Sequence, residues 1–431
     1  MLKSKGKNIY FSDVEVQSLA QRLGTPFFLF SEKILRENYR EFNKTFSSGY
    51  KNTRIDYSVK TNNEISVLKI LAKEGSWAEI VAGYELELCK RTGFPPDKTI
   101  FDGPCKSDEE IELGIKSGIH AFYADSVGEF DRLNALARKM DKTVGVGLRI
   151  NLGLRSVLEG PAETYIGKFG VDYEEALETL VYAGTLPNLK VIAISTHLGS
   201  QILSVEPYLK AIGKMLRLAS ELYKGGIPIQ EINLGGGFPS QTLVKMTLPS
   251  FLLSMMGIKL EQRPLPISVY GREISGKFSK EMARYKLPKL TLAVQPGRSI
   301  SSSMGIAVAK ARVVKKNWVF LDISTSSLPE SIFFAKRRLV VLGKRPSAKK
   351  VKYSIAGRGL NSADNFAINE SFPEIYEGDI FIILDAGAYS ISRANRFTTL
   401  NPPVYMIKEN GKIVMVRREE TFKDVLGPME F

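Results

Sequence analysis

The sequence has little cysteine and little histidine. Of its 431 residues two are cysteines, Cys89 and Cys105, and two are histidines. Neither cysteine belongs to a C-x-x-C or Cys/His spacing, so we expect no disulfide framework, no zinc site and no other bound metal. The N-terminal segment places Asp13, Glu15 and Gln17 where a secretory signal would need an unbroken apolar core. We therefore expect a cytoplasmic protein, in keeping with the isolated cysteines.

Long apolar runs are also missing. No apolar stretch comes near the roughly 20 residues that a membrane-spanning helix needs, so we expect no membrane segment. The composition, with 44% hydrophobic and 25% charged residues, is that of an ordinary globular protein. A chain of 431 residues is too long for one usual hydrophobic core but suits a barrel of about 250 residues plus a second domain. We expect two domains.

Acidic residues are fewer than basic ones. The chain has 46 Asp and Glu against 60 Lys and Arg, which gives a net charge of +14. This excess favours an acidic partner such as a carrier protein or an anionic substrate, although a solvated basic surface explains it more simply. Basic clusters such as Lys315-Lys316 and Lys336-Arg337-Arg338 are short and lack the interleaved aromatic residues of a single-strand-binding surface. We expect no nucleic-acid partner.

Short apolar or β-branched runs alternate with stretches of helical periodicity over residues 28–303. The predicted strands are Ile55–Val59, Trp77–Ala82, Thr99–Gly103, Ala121–Asp125, Val144–Asn151, Val191–Leu198, Glu231–Leu234 and Leu290–Gln295. Eight strands that alternate with helices predict an α/β fold, namely a closed (β/α)8 or TIM barrel.

Beyond about residue 304 the predicted strands follow one another without helices. They are Ile306–Val314, Trp318–Ile323, Arg338–Leu342, Val351–Ile355, Ile380–Leu384 and Val404–Val416. Within the last run Asn410-Gly411 supplies the positive φ angles of a tight hairpin turn. The sequence thus predicts a second domain of β-structure, formed by residues 304–431 together with residues 1–27.

Candidate chemical residues come from the carboxyl ends of the barrel strands, where such barrels place their active sites. These ends are unusually polar. The segments are Tyr57-Ser58-Val59-Lys60-Thr61-Asn62, Arg149-Ile150-Asn151, Thr196-His197-Leu198-Gly199-Ser200, Asn233-Leu234-Gly235-Gly236-Gly237 and Gln295-Pro296-Gly297-Arg298.

Lys60 follows the apolar Val59 at a strand end, where burial favours an uncharged amine that can attack a carbonyl. Taken alone, a surface lysine is the better interpretation, and a lone histidine such as His197 is more often a packing residue than a catalyst. Three consecutive glycines after strand seven let backbone N–H groups approach an anion closely. With Arg298 after strand eight, Gly235–Gly237 predict the phosphate site that these barrels frequently carry.

A lysine able to form a Schiff base, a phosphate site and a histidine at one barrel mouth fit pyridoxal 5'-phosphate better than a sugar phosphate. Two further motifs are Thr25-Pro26-Phe27-Phe28-Leu29-Phe30 near the start and Asp385-Ala386-Gly387-Ala388-Tyr389 near the end. With these motifs in this order, nearly the whole chain resembles the fold-type III pyridoxal-phosphate decarboxylases, the superfamily of diaminopimelate and ornithine/arginine decarboxylases. The resemblance implies the alanine racemase-like fold, a TIM barrel plus a β domain.

The same resemblance implies roles for individual residues. Lys60 would carry the cofactor as a Schiff base and His197 would stack on its ring. Further cofactor contacts are implied for Arg149, Ser200, Gly235, Gly236, Gly237, Gln295, Gly297, Arg298 and Tyr389. The family also pairs a lysine after strand five with an aspartate of the partner subunit. Lys168 and Asp364 match these positions, with Asn361 in the same loop, which favours a homodimer with shared active sites.

Three positions depart from the family pattern. Gln295 replaces a glutamate whose carboxylate keeps the pyridine nitrogen protonated, so the electron sink should be weaker. Leu360 replaces a cysteine that protonates the product, and Lys60 or a water held by Asn361 would have to supply this proton. Glu330-Ser331-Ile332-Phe333-Phe334 replaces an Arg-Pro-x-x-Tyr segment that grips a distal carboxylate, and Glu330 would repel one.

We therefore expect a pyridoxal-phosphate decarboxylase that releases CO2 from an amino acid or from a carrier- or conjugate-linked aminoacyl group, and not from meso-diaminopimelate. A racemase or epimerase is the first alternative, because those barrel enzymes work without a protonated pyridine nitrogen. It needs two acid–base groups, of which only Lys60 is evident. A non-catalytic, cofactor-binding regulatory protein is the second alternative, and the retention of Lys60 and of the phosphate-binding residues argues against it.

Overall fold

The computed structural model describes residues 2–154, 168–245, 263–329, 335–344 and 349–430. Contacts divide the chain into two compact units. The barrel unit comprises Asn38–Pro239 and Pro264–Arg298, and the sheet unit comprises Met1–Glu37, Ser240–Arg263 and Ser299–Phe431. This division differs from the boundaries expected at residues 28 and 303, because the strand Phe27–Ser31 pairs with Gly305–Lys315 in the sheet unit. All five residues of that strand are buried, as expected of an interior strand.

The barrel unit contains eight parallel strands that close on themselves, which confirms the predicted (β/α)8 barrel. The strands are Thr53–Ser58, Trp77–Ile80, Thr99–Phe101, Ala121–Ala124, Val144–Asn151, Leu189–Ser195, Glu231–Asn233 and Thr291–Val294. Each pairs with the next in chain order, and Thr291–Val294 returns to pair with Thr53–Ser58. Each coincides with one of the eight predicted strands, within a few residues at the ends.

Helices follow the strands and bury one apolar side against them. They are Glu32–Gly49, Ile65–Lys73, Gly83–Thr92, Asp108–Ser117, Val127–Lys139, Ala176–Thr185, Glu206–Lys224 and Ile267–Arg284. In Ile65–Lys73 the buried residues include Val67, Leu68 and Leu71, which have helical spacing. Asp108–Ser117 begins with a capping box of Ser107 and Glu110, which satisfies backbone N–H groups at the helix start. The short elements Val59–Thr61, Pro96–Lys98 and Val171–Asp172 complete the unit.

A network of polar side chains fills the amino-terminal half of the barrel interior. Arg54 donates to Asp56 at 2.8 Å and also to Glu231 on strand seven. Glu231 in turn accepts from the Tyr123 hydroxyl at 2.8 Å, and its other carboxylate oxygen lies 3.1 Å from His120 Nε2. Burial acts to raise the pKa of Glu231, but His120 and Arg54 outweigh burial and lower the pKa to about 2. Strands one, four and seven are thus joined through a charged core.

The sheet unit is built from antiparallel and mixed β-structure. Its strands are Leu2–Lys5, Asn8–Phe11, Val14–Glu15, Phe27–Ser31, Val244–Lys245, Gly305–Lys315, Trp318–Leu321, Ala335–Lys336, Leu339–Val341, Lys350–Ala356, Asn365–Pro373, Ile380–Ile383, Val404–Ile407 and Ile413–Arg417. Its helical segments are Val16–Leu23, Ser302–Met304, Thr325–Ser327 and Phe422–Leu426, and Arg298–Ser301 links the two units in sequence. The predicted hairpin is present, with Gly411 at φ 78° between its two strands. No helix within the described ranges is long and apolar enough to cross a membrane.

Candidate active site

The register of the barrel strands determines which residues face its interior. Arg54, Asp56, Tyr123, Glu231 and Asn233 contact one another from different strands, so they all point inward. Because side chains alternate along a strand, the residues two positions further on also point inward. These residues are Ser58, Asp125 and Gly235. Ala293 pairs with Asn233 and with Arg54 and so also faces inward. Gln295, two residues after Ala293, therefore faces inward as well. The carboxyl end of the barrel therefore gathers the polar strand ends around one mouth.

Lys60 lies at this mouth in the short helical turn Val59–Thr61. Its Nζ donates to Oε1 of Glu79 at 2.9 Å, and the side chain of Glu79 is 1% exposed whereas that of Lys60 is 40% exposed. Glu79 is paired with Ser58 in the register and therefore also points inward. The amine predicted to react is held by a buried carboxylate and still reaches the open end of the barrel.

A second buried carboxyl group, Glu85, lies beside this pair. It accepts a hydrogen bond from Val81 N at 2.8 Å. Burial raises the pKa of Glu85 to about 7, and the nearby charge of Glu79 acts in the same direction. The hydrogen bond from Val81 and the charge of Lys60 oppose the increase. Glu85 therefore changes its protonation near neutral pH.

Arg149 was predicted to contact the cofactor, and in the structure it lies between two carboxylates. Its Nη1 is 3.5 Å from Asp102 and its Nε is 3.8 Å from Asp125, while its guanidinium stacks on the Phe169 ring at 4.8 Å. Burial acts to raise the pKa of Asp102, but Arg149, Lys60 and Lys106 outweigh it and lower the pKa. Burial raises the pKa of Asp125. Arg149 thus orders the mouth at strands three to five.

A fully buried ion pair supports the same region. Lys106 Nζ donates to Glu129 at 2.6 Å and to the carbonyl oxygens of Gly103 and Tyr123. The other oxygen of Glu129 accepts from Asp125 N at 2.9 Å. Four of these residues were not predicted from the sequence: Glu79, Asp102, Asp125 and Lys106. The first three lie at or near the ends of predicted strands, and applying the strand alternation there would have identified them.

The three glycines form a tight turn against His197. A Cβ added to any of them would meet a backbone carbonyl oxygen. On Gly235 it would overlap the oxygen of Thr196. On Gly236 it would lie 2.5 Å from the oxygen of Gln295, and on Gly237 it would lie 2.7 Å from the oxygen of Gly199. Backbone contacts therefore exclude a side chain at each of these glycines, so packing alone already requires them. Gly236 N also donates to His197 Nδ1 at 3.2 Å, which fixes the imidazole beside the turn. Phosphate binding by this turn stays a prediction.

Strand eight brings the next three predicted residues to the same place. Arg298 is 6% exposed and donates from Nη2 to Ser200 Oγ at 3.4 Å. A Cβ on Gly297 would overlap Thr61 Oγ1, so the glycine lets strand eight pack against the turn that carries Lys60. Gln295 is 5% exposed, and its Nε2 has no hydrogen-bond partner among the described residues. The structure therefore brings Lys60, Arg149, His197, Ser200, the glycine turn, Gln295 and Arg298 to one end of the barrel.

Lys168 is exposed at the same strand ends. Its Nζ lies 4.6 Å from the centroid of the Phe169 ring, which Arg149 also contacts. Gly170 N donates to Asp125 at 2.9 Å, so the turn is anchored to strand four. Lys168 is held at the barrel mouth by these contacts.

Tyr389 belongs to the sheet unit, in a clamped turn. Asp385 at its start accepts hydrogen bonds from Ser240, Thr242 and Ser302 at 2.6 to 2.9 Å. Arg337 donates to the carbonyl oxygens of Asp385 and Ala388. Tyr389 itself has φ 51° and is half-buried. The motif therefore forms a rigid turn that presents Tyr389.

Asp364, predicted to meet a lysine of the partner subunit, is engaged within its own unit. It is 3% exposed and accepts from Thr325 N at 2.7 Å, Ser324 Oγ at 3.0 Å and Gly359 N at 2.7 Å. Asp364 thus accepts three hydrogen bonds within the sheet unit, and its pairing with the partner subunit's Lys168 stays a prediction. Asn361 and Leu360 are exposed on that loop, Leu360 by 92%. The segment Glu330–Phe334 lies outside the described residues.

The donor set at the barrel mouth fits the predicted cofactor. Lys60 supplies an amine, the glycine turn and Arg298 supply anion donors, and the buried Nε2 of Gln295 supplies a donor that lacks an acceptor among the residues described. A phosphorylated ring with acceptor atoms matches this set better than a purely cationic ligand. Among the residues that the structure describes, no group of three His, Cys, Asp or Glu side chains is placed to hold a metal ion.

Comparison with known proteins gives one consistent family. The family model described as "Pyridoxal-dependent decarboxylase, pyridoxal binding domain" matches residues 32–302. A diaminopimelate decarboxylase of Methanocaldococcus jannaschii is 27% identical, over 98% of this chain and 95% of the relative. One of Aquifex aeolicus is also 27% identical, over 99% and 97%. The crystal structure of the M. jannaschii diaminopimelate decarboxylase aligns with a TM-score of 0.87 at 26% identity, covering 100% of this chain and 98% of the other.

Proposed function

Because the chain belongs to the pyridoxal-dependent decarboxylases, a family of carboxy-lyases whose cofactor is pyridoxal 5'-phosphate, we propose that it removes the α-carboxyl group of an amino acid at the site around Lys60. The observation that carries this assignment is the contact of Lys60 Nζ with the buried Glu79. It leaves a positioned amine at the open end of the barrel, where an enzyme of this fold carries out its chemistry.

The residues at the barrel mouth have different roles in this proposal. When bound, pyridoxal phosphate would supply an electron sink for the pair that departing CO2 leaves on the α-carbon. Lys60 would hold the cofactor through its amine, which Glu79 orients. Ser200, Arg298 and the N–H groups of the glycine turn would bind the phosphate, and His197, fixed by Gly236 N, would contact the ring. Arg149 and its two carboxylates keep the mouth ordered around the substrate.

For the substrate, meso-diaminopimelate is the first candidate to test, since the relatives above are named for it. The expectation against this substrate finds no support in the comparisons. Its main argument concerned residues 330–334, which the structure does not describe. A carrier- or conjugate-linked aminoacyl group is the second candidate, and the net charge of +14 suits an acidic carrier.

Proton NMR in D2O of the enzyme loaded with pyridoxal phosphate tests both. We expect loss of CO2 and a product amine deuterated at the former α-carbon, with meso-diaminopimelate, L-lysine, L-ornithine and L-arginine compared in one panel. The same assay with acyl-carrier-linked amino acids tests the second candidate. Exchange of the α-proton without loss of CO2 would instead identify a racemase, and no turnover of any α-amino acid would contradict the proposal.

We also infer a homodimer. Large apolar side chains are exposed on the sheet unit at Val313, Trp318, Leu360 and Ile368, by 39 to 92%. Trp318 stacks with Phe320, and the two rings line a cavity of about 390 Å³ next to the loop of Leu360 and Asn361. An apolar surface of this kind is typical of a subunit interface. Sedimentation equilibrium should give twice the chain mass for the wild type and a lower mass for Trp318→Glu, and a monomeric wild type would contradict the inference.

A further inference from the structure

The sheet unit contains a polar cavity of about 450 Å³ that the proposed function does not use. Its described lining comes from residues 23–26, 322–324 and 398–403, together with single residues such as Arg358 and Glu419. All of these residues belong to the sheet unit. Cavities of this volume hold small metabolites. The charged groups that line the cavity decide which kind of metabolite fits.

Two of the three carboxylates among the described lining residues already have partners. Asp322 accepts from Thr25 Oγ1 at 2.7 Å and from a backbone N–H group at 2.8 Å. Glu420 accepts from Arg396 Nη2 at 2.9 Å and from Asn401 N at 3.0 Å. These two carboxylates therefore hold the wall of the cavity together, and a ligand would have to displace protein donors to reach them.

Arg358 and Glu419 are the two charged lining residues without such partners. Both side chains are exposed, and neither makes a hydrogen bond or an ion pair with another described residue. Arg358 is also the one cation among the described lining residues. A guanidinium and a carboxylate thus line the same cavity without meeting each other. A ligand that carries both an anionic and a cationic group would pair with both of them.

Two neighbouring threonines give further evidence for a ligand. The Thr399 hydroxyl is buried and has no hydrogen-bond partner within the described ranges, a state that native proteins avoid. Thr398 has φ 59°, a conformation that a β-branched residue rarely adopts. Strain of this kind clusters at ligand sites and persists where the surrounding structure fixes the backbone. Here Asn401 Oδ1 accepts from Ser327 Oγ at 3.2 Å and fixes the segment.

The cavity also has an apolar part, to which Leu23, Pro26, Ile323 and Leu400 contribute. An aliphatic group gains free energy by burying its surface against such residues. A charged side chain on the ligand would find no further unpaired ionic group among the described lining residues. The lining therefore favours a ligand with two opposite charges and an aliphatic remainder.

We propose that the cavity binds a free α-amino acid with an aliphatic side chain, whose carboxylate pairs with Arg358 and whose ammonium group pairs with Glu419. The Thr399 hydroxyl is a further donor for the carboxylate. Since the cavity lies wholly within the sheet unit, this site does not depend on the reaction assigned to Lys60.

Isothermal titration calorimetry with L-leucine as the probe tests the site. The protein is the holoenzyme reduced with borohydride, because the reduced cofactor cannot take up an amino acid. We expect one molecule of L-leucine bound per chain. 4-Methylpentanoate lacks the ammonium group and 3-methylbutylamine lacks the carboxylate, so each should bind about tenfold more weakly or worse. L-Lysine and L-glutamate should also bind more weakly than L-leucine, because their charged side chains find no partner.

Arg358→Gln and Glu419→Gln should each weaken the binding of L-leucine by about tenfold or more, since each removes one charge-assisted contact. Both positions are exposed, so neither change should unfold the protein, and the midpoint of urea unfolding checks this. Arg393→Gln and Glu430→Gln make the same chemical changes at exposed positions of the sheet unit that do not line the cavity. These two controls should leave the affinity unchanged.

Loss of affinity in both cavity variants, with unchanged affinity in both controls, would support the site. No heat of binding for L-leucine at millimolar concentration would overturn the inference. Equal affinity in the wild type, Arg358→Gln and Glu419→Gln would overturn it as well, because the amino acid would then bind elsewhere. Decarboxylation is measured separately on the unreduced enzyme, so a failure of the proposed function would leave this result unaffected.

Discussion

Lys60 Nζ lies 2.9 Å from Glu79 Oε1, and the two side chains differ sharply in exposure, 40% against 1%. A flexible lysine is thereby anchored by a carboxylate that cannot itself move into solvent. The anchor is inside the barrel and the amine is at its rim. Glu79 therefore orients the amine at the rim, but the amine is not buried, contrary to the expectation from its place after Val59.

Lys60→Ala should abolish covalent retention of pyridoxal phosphate and lower kcat/KM by about a thousandfold or more, because both the attachment point and an acid–base group are lost. Absorbance after gel filtration and assay of CO2 release measure the two effects. Lys73→Ala, at an exposed position on the next helix, is the matched control and should leave both unchanged. Retention of the cofactor by Lys60→Ala after borohydride treatment would place the attachment elsewhere.

Glu85→Gln should alter the pH dependence of stability. Burial raises the pKa of Glu85 to about 7, so between its ordinary value and about 7 the folded protein keeps a proton that the unfolded chain has lost. The free energy of unfolding therefore falls as the pH rises through this window. Glutamine removes this loss, so the variant should be more stable than the wild type by about 3 kcal/mol near pH 8, and equally stable near pH 4.

Urea unfolding at a series of pH values measures the difference. Glu87→Gln, on the same helix with its side chain 42% exposed, is the control and should show no such trend. If the difference in the free energy of unfolding between Glu85→Gln and the wild type grew towards low pH, it would have the opposite sign and would refute the assigned protonation of Glu85.

Glu231→Gln should destabilise the fold while sparing the chemistry. It leaves Arg54, which is 8% exposed, as a buried cation with less compensation, and breaking such a pair costs about 3–5 kcal/mol. Because the network lies at the amino-terminal ends of the strands, kcat per folded molecule should change less than about threefold. Chemical denaturation and active-site titration measure the two quantities. Glu221→Gln, which removes an exposed pair with Arg217, should cost less than about 1 kcal/mol.

The ion pair of Arg54 and Glu231 also makes the stability of the fold depend on pH in acid. The pKa of Glu231 is lowered to about 2. The stability that Glu231 contributes is therefore complete above the ordinary carboxyl pKa and is lost as the pH falls towards 2. The wild type and Glu231→Gln should therefore converge in stability at acid pH. A constant difference down to about pH 2 would contradict the assigned pKa.

Lys168→Ala and Asp364→Ala should act independently. Asp364 holds its own loop through three hydrogen bonds, so its loss should cost about 2–3 kcal/mol of stability through an unsatisfied hydroxyl and two N–H groups. In a double-mutant cycle on kcat/KM we expect additivity within about 0.5 kcal/mol. A coupling well above that value would support the predicted pair between Lys168 and Asp364 of the partner subunit.

The sequence by itself determined the barrel and the place of its chemistry. All eight barrel strands were predicted because short apolar runs between helical stretches give a strong local signal, and polar residues at their ends are conspicuous against it. The same local signal failed for Phe27–Ser31, which pairs with Gly305–Lys315 and Val404–Ile407, strands that lie far along the chain from it. It also failed for Asn365–Pro373, where polar residues interrupt the apolar run.

Only the tertiary structure decided the partners of these residues. Three features depend on how strands and loops pack: Glu79 anchors Lys60, Asp364 accepts from Ser324 and Thr325, and Gln295 holds a buried donor without an acceptor among the described residues. Residue type states what a side chain can donate or accept, but register and burial determine what it meets. The departures at Gln295 and Leu360 were visible from the sequence, whereas their physical meaning required the interior direction of one and the exposure of the other.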